Sequence, residues 1–116
     1  MSYTATQVRE KALKKLGVIA TGQTTQAQIS TDLDEAYVEV YAMLNALGLT
    51  TWDDDEDIPN EMVTPVVYLV AGIRKDEYSI PNDRYQRIKI DQDGAIMMIK
   101  EFQASNVYET PKATYY

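Results

Sequence analysis

Seven apolar residues between positions 29 and 47 constrain this chain most. Ile29, Leu33, Ala36, Tyr37, Val40, Leu44 and Leu47 follow one another at intervals of 4, 3, 1, 3, 4 and 3. That spacing keeps returning to one side of a 3.6-residue turn, whereas a half-buried strand requires strict alternation. It predicts a long amphipathic helix from about Thr25 or Ile29 to Leu47, ended by Gly48, with Asp32, Asp34, Glu35 and Glu39 on its polar side.

Three further segments carry helical signals. Thr4-Ala5-Thr6-Gln7 spells a capping box, and Val8, Ala12, Leu13 and Leu16 then form a stripe opposite Arg9, Lys11, Lys14 and Lys15, with Gly17 as the left-handed cap, so a first helix is expected over Ala5 to Leu16. Thr21 to Thr25 reads as a loop, and Leu49 to Asp57 as a polar surface connection with one aromatic, Trp52. Pro59 marks extended backbone at Ile58 and the first turn of a third helix, which Pro65 either kinks or restarts behind a Thr64 cap. Val66, Val67, Leu69, Val70, Ala71 and Ile73 make that helix apolar nearly all round and hence the central one, with Gly72 allowing a neighbour to approach closely.

After the turn Ile80-Pro81-Asn82-Asp83, a fourth helix is expected from about Asp83 to Ala104, its stripe formed by Tyr85, Ile88, Gln92 or Ala95, Ile96, Ile99 and Phe102. The alternation Arg87 to Asp91 also fits a short strand, but the helical frame continues on both sides of it. From Ser105 onward the stripe is lost, and three tyrosines, Val107 and Pro111 predict an extended segment. The expected fold class is therefore all-α, a small bundle of four helices over residues 1–104 with an extended C-terminal tail over residues 105–116.

The 116 residues suffice for one domain of ordinary size, roughly 100–200 residues. Cysteine and histidine are both absent, which removes disulfides, thiolate metal sites, the usual general base near neutral pH and every Ser-His or Cys-His nucleophile pair. No phosphate-binding glycine loop and no nucleophile elbow occurs, so no catalysis and no cofactor is expected. The longest apolar run, Val66 to Ile73, falls far short of the roughly 20 residues that span a bilayer, and Met1 to Ala12 lacks the apolar core of a secretory signal. A cytoplasmic chain without membrane contact is the expectation.

The net charge of −7 is unevenly spread. Residues 21–61 hold no Lys or Arg but ten acids: Asp32, Asp34, Glu35, Glu39, Asp53, Asp54, Asp55, Glu56, Asp57 and Glu61. Such a field repels phosphate backbones, which argues against specific duplex binding. The run Asp53 to Asp57 lacks the Gly and Glu positions of an EF-hand loop and reads as a solvated loop; Asp91 and Asp93, two apart on a helix, face different directions and make a poor acid-base pair. Nine tyrosines against one phenylalanine is a skewed aromatic choice. Tyr37, Tyr41, Tyr68, Tyr78 and Tyr85 suit half-buried positions where the ring packs and the hydroxyl reaches an edge, and the tyrosines of the tail suit a strand that docks on another protein.

Several of these stretches taken together resemble a known family. They are the first helix Val8-Arg9-Glu10-Lys11-Ala12-Leu13-Lys14-Lys15-Leu16-Gly17-Val18, the acidic second helix ending Leu44-Asn45-Ala46-Leu47-Gly48, Ile58-Pro59 before the apolar third helix, Tyr78-Ser79-Ile80-Pro81 before the fourth, and the late tail. In order and spacing they resemble the head-to-tail connector proteins of tailed bacteriophages, the head-completion or portal-adaptor family. The resemblance implies a structural virion protein that forms a ring, commonly of twelve copies, beneath the portal, extends the DNA channel and joins capsid to tail.

The partners it implies are the portal protein, tail or nozzle proteins, further copies of the chain, and genomic DNA that passes without specific binding. The place it implies is the capsid-tail junction, reached after assembly in the host cytoplasm. Under it, Val107, Tyr108, Pro111, Tyr115 and Tyr116 dock on the portal, and Arg9, Lys14, Tyr37, Tyr41, Trp52 and Tyr85 lie between subunits. Asp32, Asp34, Glu35, Glu39 and Asp53 to Asp57 then line the channel or face a partner. The rival expectation is an acidic regulatory or DNA-mimic protein that offers its second helix to a basic partner. A divalent-cation enzyme built on Asp53 to Asp57 comes third.

Overall fold

In a computed structural model, which describes residues 2–17, 26–53, 56–78 and 80–115 and the side chains of 3–17, 28–53, 56–78 and 80–103, the local signals become elements at the expected places. Helix α1 spans Ala5–Leu16. Its capping box is complete: Gln7 N–H donates to Thr4 Oγ1 at 3.1 Å and Thr4 N–H donates to Gln7 Oε1 at 2.8 Å. Gly17 ends it at φ 70°, ψ 21°, its N–H donating to the carbonyls of Leu13 and Lys14. A side chain there would be strained and would also strike Arg84.

Helix α2 runs Gln26–Ala46. It ends as a Schellman motif, in which Leu49 N–H donates to Leu44 O at 2.9 Å across a left-handed Gly48. Its stripe is buried at Ile29, Leu33, Ala36, Tyr37, Val40 and Leu44, but Leu47 is 55% exposed. Leu47 lies beyond the last helical turn, and Leu49, brought back by the motif, takes the buried place instead.

The polar connection that follows is less peripheral than its composition suggests. Leu49 and Trp52 are both buried, whereas Asp53, Glu56 and Asp57 are exposed. One indole repays burial better than any neighbour in that stretch, so the loop folds back around it. Asp54 and Asp55 lie outside the described residues.

Strand β1 (Ser2–Tyr3) pairs antiparallel with β2 (Ile58–Pro59), in register Ser2 with Pro59 and Tyr3 with Ile58. This two-residue clasp on an all-α bundle ties the amino-terminal end to the start of α3 (Asn60–Arg74). Pro59 is the residue before α3, extended at φ −55°, ψ 144°, and α3 then continues through Pro65 without a restart, leaving Thr64 exposed. Pro65 forfeits one intrahelical hydrogen bond, a loss compatible with its place on the buried face. Met62, Val66, Leu69, Val70 and Ala71 are buried as well, so α3 is the central helix, against which α1, α2 and α4 all pack.

Helix α4 is recorded over Asn82–Tyr115, with Ile88, Ala95 and Ile99 buried and Tyr85, Gln92, Ile96 and Phe102 half-buried along the expected stripe. The alternating stretch Arg87 to Asp91 is helical. Gly72 is buried against α4: a Cβ there would sit 2.3 Å from Gln92 Cδ, so any larger residue requires the Gln92 side chain to move. Past Gln103 only the backbone is described. The helix record runs on through this segment to Tyr115. The side chains of the tail residues Val107, Tyr108, Pro111 and Tyr115, and all of Tyr116, lie outside the described residues.

Candidate functional site

Ion pairs between charged side chains of different helices tie the bundle together at its surface. Arg74, in the last turn of α3, reaches across to α2: its Nε donates to Asp32 Oδ1 at 3.0 Å and its Nη2 meets Glu39 Oε2 at 2.6 Å, with Glu77 Oε2 3.3 Å from Nε. Tyr78 Oη donates to the other oxygen of Asp32 at 2.5 Å. Burial lowers the guanidinium pKa of Arg74, but Asp32, Glu39 and Glu77 outweigh it and the net shift is upward. Burial first, and then the bond to Asp32, push the Tyr78 hydroxyl well above the ordinary tyrosine range. Asp32 and Glu39 are thus committed within the chain, and neither Arg74 nor Tyr78 was singled out as their partner by the sequence.

Arg9 of α1 makes the matching tie to α2. Its Nη1 donates to both oxygens of Asp34, at 3.3 and 3.1 Å, and Nη2 to Glu10 at 3.4 Å. Of the acids expected to face a partner, Glu35 is exposed and makes no ion pair among the described residues. Asp53 and Glu56 close a small turn, Asp53 N–H donating to Glu56 Oε1 at 2.9 Å and Glu56 N–H to Asp53 O at 3.0 Å. Among the described residues no group of three or more acids is arranged to hold a metal ion.

The aromatic residues expected between subunits divide in two. Trp52 and Tyr37 are 6% and 5% exposed, and Trp52 Nε1 donates to Tyr37 Oη at 3.0 Å. Tyr41 Oη donates to Trp52 O at 2.8 Å, with the Tyr41 and Trp52 rings edge to face at 6.0 Å. Tyr37 and Trp52 therefore belong to this chain's own core, because the indole needed both a cavity and an acceptor. Tyr41 stays half-buried at the rim of a groove of about 560 Å³ between α1 and α2, lined by Ala5, Thr6, Asp34, Val38 and Ala42 among others. Tyr85 is half-buried, and its hydroxyl donates to Asp76 Oδ1 at 2.7 Å, the leading cause of its raised pKa.

On the other flank, the carboxyl end of α1 meets the start of α4 in a cleft of about 490 Å³ lined by Lys15, Pro81, Asp83, Arg84, Arg87 and Ile88. Arg84 Nη1 donates to the terminal carbonyls of α1, Lys15 O at 3.1 Å and Lys14 O at 3.4 Å, which places a cation where the helix dipole is negative. Lys15 is paired with Asp91 and lies 4.4 Å from the centre of the Tyr68 ring. Lys14 and Arg87 are exposed and make no ion pair among the described residues.

Apolar side chains complete the outer surface: Val38, Met43 and Leu47 stand exposed at or just past α2, and Ile90 and Met97 on α4. No helix is long and apolar enough to cross a membrane among the described residues. Compared with protein-family models, curated proteins and solved structures, the chain matches none. What the described surface offers is contact area: an acidic outer side of α2 with Val38 exposed on it, and an outer side of α4 of mixed charge with Ile90 and Met97 exposed on it.

Proposed function

We propose that this chain is a non-enzymatic head-to-tail adaptor of a tailed bacteriophage, a small helical unit that assembles side by side into a ring beneath the portal, extends the DNA channel and seats the tail. The observation that carries this reading is the order and spacing of the capped helices: Leu16-Gly17 ends α1, Gly48 closes α2, Ile58-Pro59 precedes α3, and Ile80-Pro81 precedes α4. The aromatic residues Tyr108, Tyr115 and Tyr116 near the carboxyl end supply the hook toward the larger portal ring. Contacts that are individually weak gain strength by repetition around a ring.

The rival reading, a regulatory or DNA-mimic protein, needs the acids of α2 to face a basic partner. Three of those four, Asp32, Asp34 and Glu39, make ion pairs with Arg74 or Arg9, which weakens that reading and equally the channel-lining role the adaptor would give the same acids.

Assembly on purified portal rings, comparing the full chain with one ending at residue 104, tests the proposal. The full chain is expected to decorate the ring and the shortened one to lose most of its binding. Equal docking by both would remove the tail's role, and no docking by either would remove the adaptor.

A further inference from the structure

A groove of about 360 Å³ opens where α1, α3 and strand β1 meet. One face of α3, recurring every three or four residues, forms its floor and rim: Val63 and Val67 are buried in it, and Asn60 and Thr64 are exposed at its edge. Two aromatic rings line it as well, Tyr3, held in place by the pairing of its strand with Ile58, and Tyr68. Lys11 and Lys15, one turn apart on α1, set their Nζ atoms 5.2 and 4.4 Å from the centres of the Tyr3 and Tyr68 rings. Lys15 is answered by Asp91, whereas Lys11 makes no ion pair among the described residues. The acids nearest in sequence stay out of the groove: Glu10 engages Arg9, and Glu61, beside Asn60, is exposed and does not line it. Among the described residues no carboxylate lines it.

From this geometry we infer that the groove binds a small organic carboxylate with an aromatic body, an arylalkanoate. Its volume falls at the lower end of ligand sites, roughly 300–1,000 Å³, which admits one ring and a short chain but not a helix. The valine floor and the two tyrosine rings suit an apolar, aromatic body, which stacks or meets them edge to face. Lys11 supplies one positive charge that no acid offsets, positioned by the Tyr3 ring rather than neutralised by it, so a single negative charge is favoured and an organic cation is repelled. The Asn60 amide and the Thr64 hydroxyl make no side-chain hydrogen bond among the described residues and can donate to the second carboxylate oxygen. A phosphate dianion asks for a second free cation, and Lys15 is already spent on Asp91. This site goes beyond the ring reading and does not depend on it.

Titration of the full-length chain with 3-phenylpropionate, followed by backbone amide shifts in nuclear magnetic resonance, tests the site. Saturable shifts centred on Tyr3, Lys11, Thr64 and Tyr68 are expected, with a dissociation constant on the order of 1 mM for a ligand of this size. The neutral amide of the same acid should bind roughly fivefold more weakly, and so should the acid to Lys11→Met, which keeps the apolar stem and removes the charge. Lys14→Met, exposed but outside the groove, should bind within about twofold of wild type. Thr64→Phe, at an exposed position that leaves the core untouched, plugs the groove and should abolish saturable binding. Shifts that stay linear to about 20 mM overturn the site. Acid and amide binding alike, Lys11→Met or Thr64→Phe binding like wild type, or shifts centred on another part of the surface overturn it equally.

Discussion

Helices α3 and α4 lie against each other and obey opposite rules. Helix α3 buries nine of its 15 residues and meets neighbours on nearly every side. Helix α4 buries Ile88, Ala95 and Ile99 along one narrow stripe and holds Ile90 and Met97 out of the core. Ile88 and Ile90 show why: a strand would set them on the same side, whereas a helix turns them roughly 200° apart and sends only one inward. The composition of α3 is therefore accounted for by packing within the chain. That of α4 is not: Ile90 and Met97 stand exposed on its outer side among charged and polar neighbours.

The sharpest way to break this comparison is to place a charge on each helix. Val66→Asp buries an unpaired carboxylate at a fully enclosed site and should cost about 4 kcal/mol or more, enough to unfold a small domain, as read by circular dichroism and thermal melting. Ile90→Asp, on the outer face of α4, should leave monomer stability within about 0.5 kcal/mol. Equal costs would mean that the two helices do not differ as described.

The contact between them is probed by Gly72→Leu. With Gln92 2.3 Å from the position of a Cβ, Gln92 must swing away and release its bond to Lys75 Nζ. Overpacking here should cost about 1–3 kcal/mol in a denaturant titration. A neutral result would show that the helices part freely.

Tyr78→Phe tests the charged tie just past α3. At neutral pH it should cost about 0.5–1.5 kcal/mol, the usual net value of one hydrogen bond. Because the folded state holds the Tyr78 proton to higher pH than the unfolded chain does, its contribution is complete below about pH 10, the ordinary tyrosine value, and is lost as pH rises beyond it. The wild-type chain should therefore lose more of its melting temperature than the Phe variant as pH rises above about 10. Parallel decline of the two would remove Tyr78 from the alkaline response.

Much of this molecule is legible in its sequence because the signals act within one helical turn. The Thr4–Gln7 box, the glycines at 17 and 48 and the stripe from Ile29 to Leu44 fix where helices begin, end and face, and the apolar composition of α3 fixes it as the centre. Gly72 likewise marks the close approach of α4. What stayed hidden depends on residues far apart along the chain. Asp32 finds Tyr78 across 46 positions, Tyr37 receives Trp52 from a loop whose polarity points outward, and Ser2–Tyr3 clasps Ile58–Pro59.

The sequence by itself determined that this is a four-helix chain with an acidic second helix and without histidine or cysteine chemistry. Only the tertiary structure decided which acids are spent on Arg74 and Arg9 and which remain available, and which aromatics belong to the core rather than to an outer surface. The physical reason is that caps and periodicity are local, whereas an ion pair or a buried indole takes its partner from whatever element the packing of the helices brings within reach.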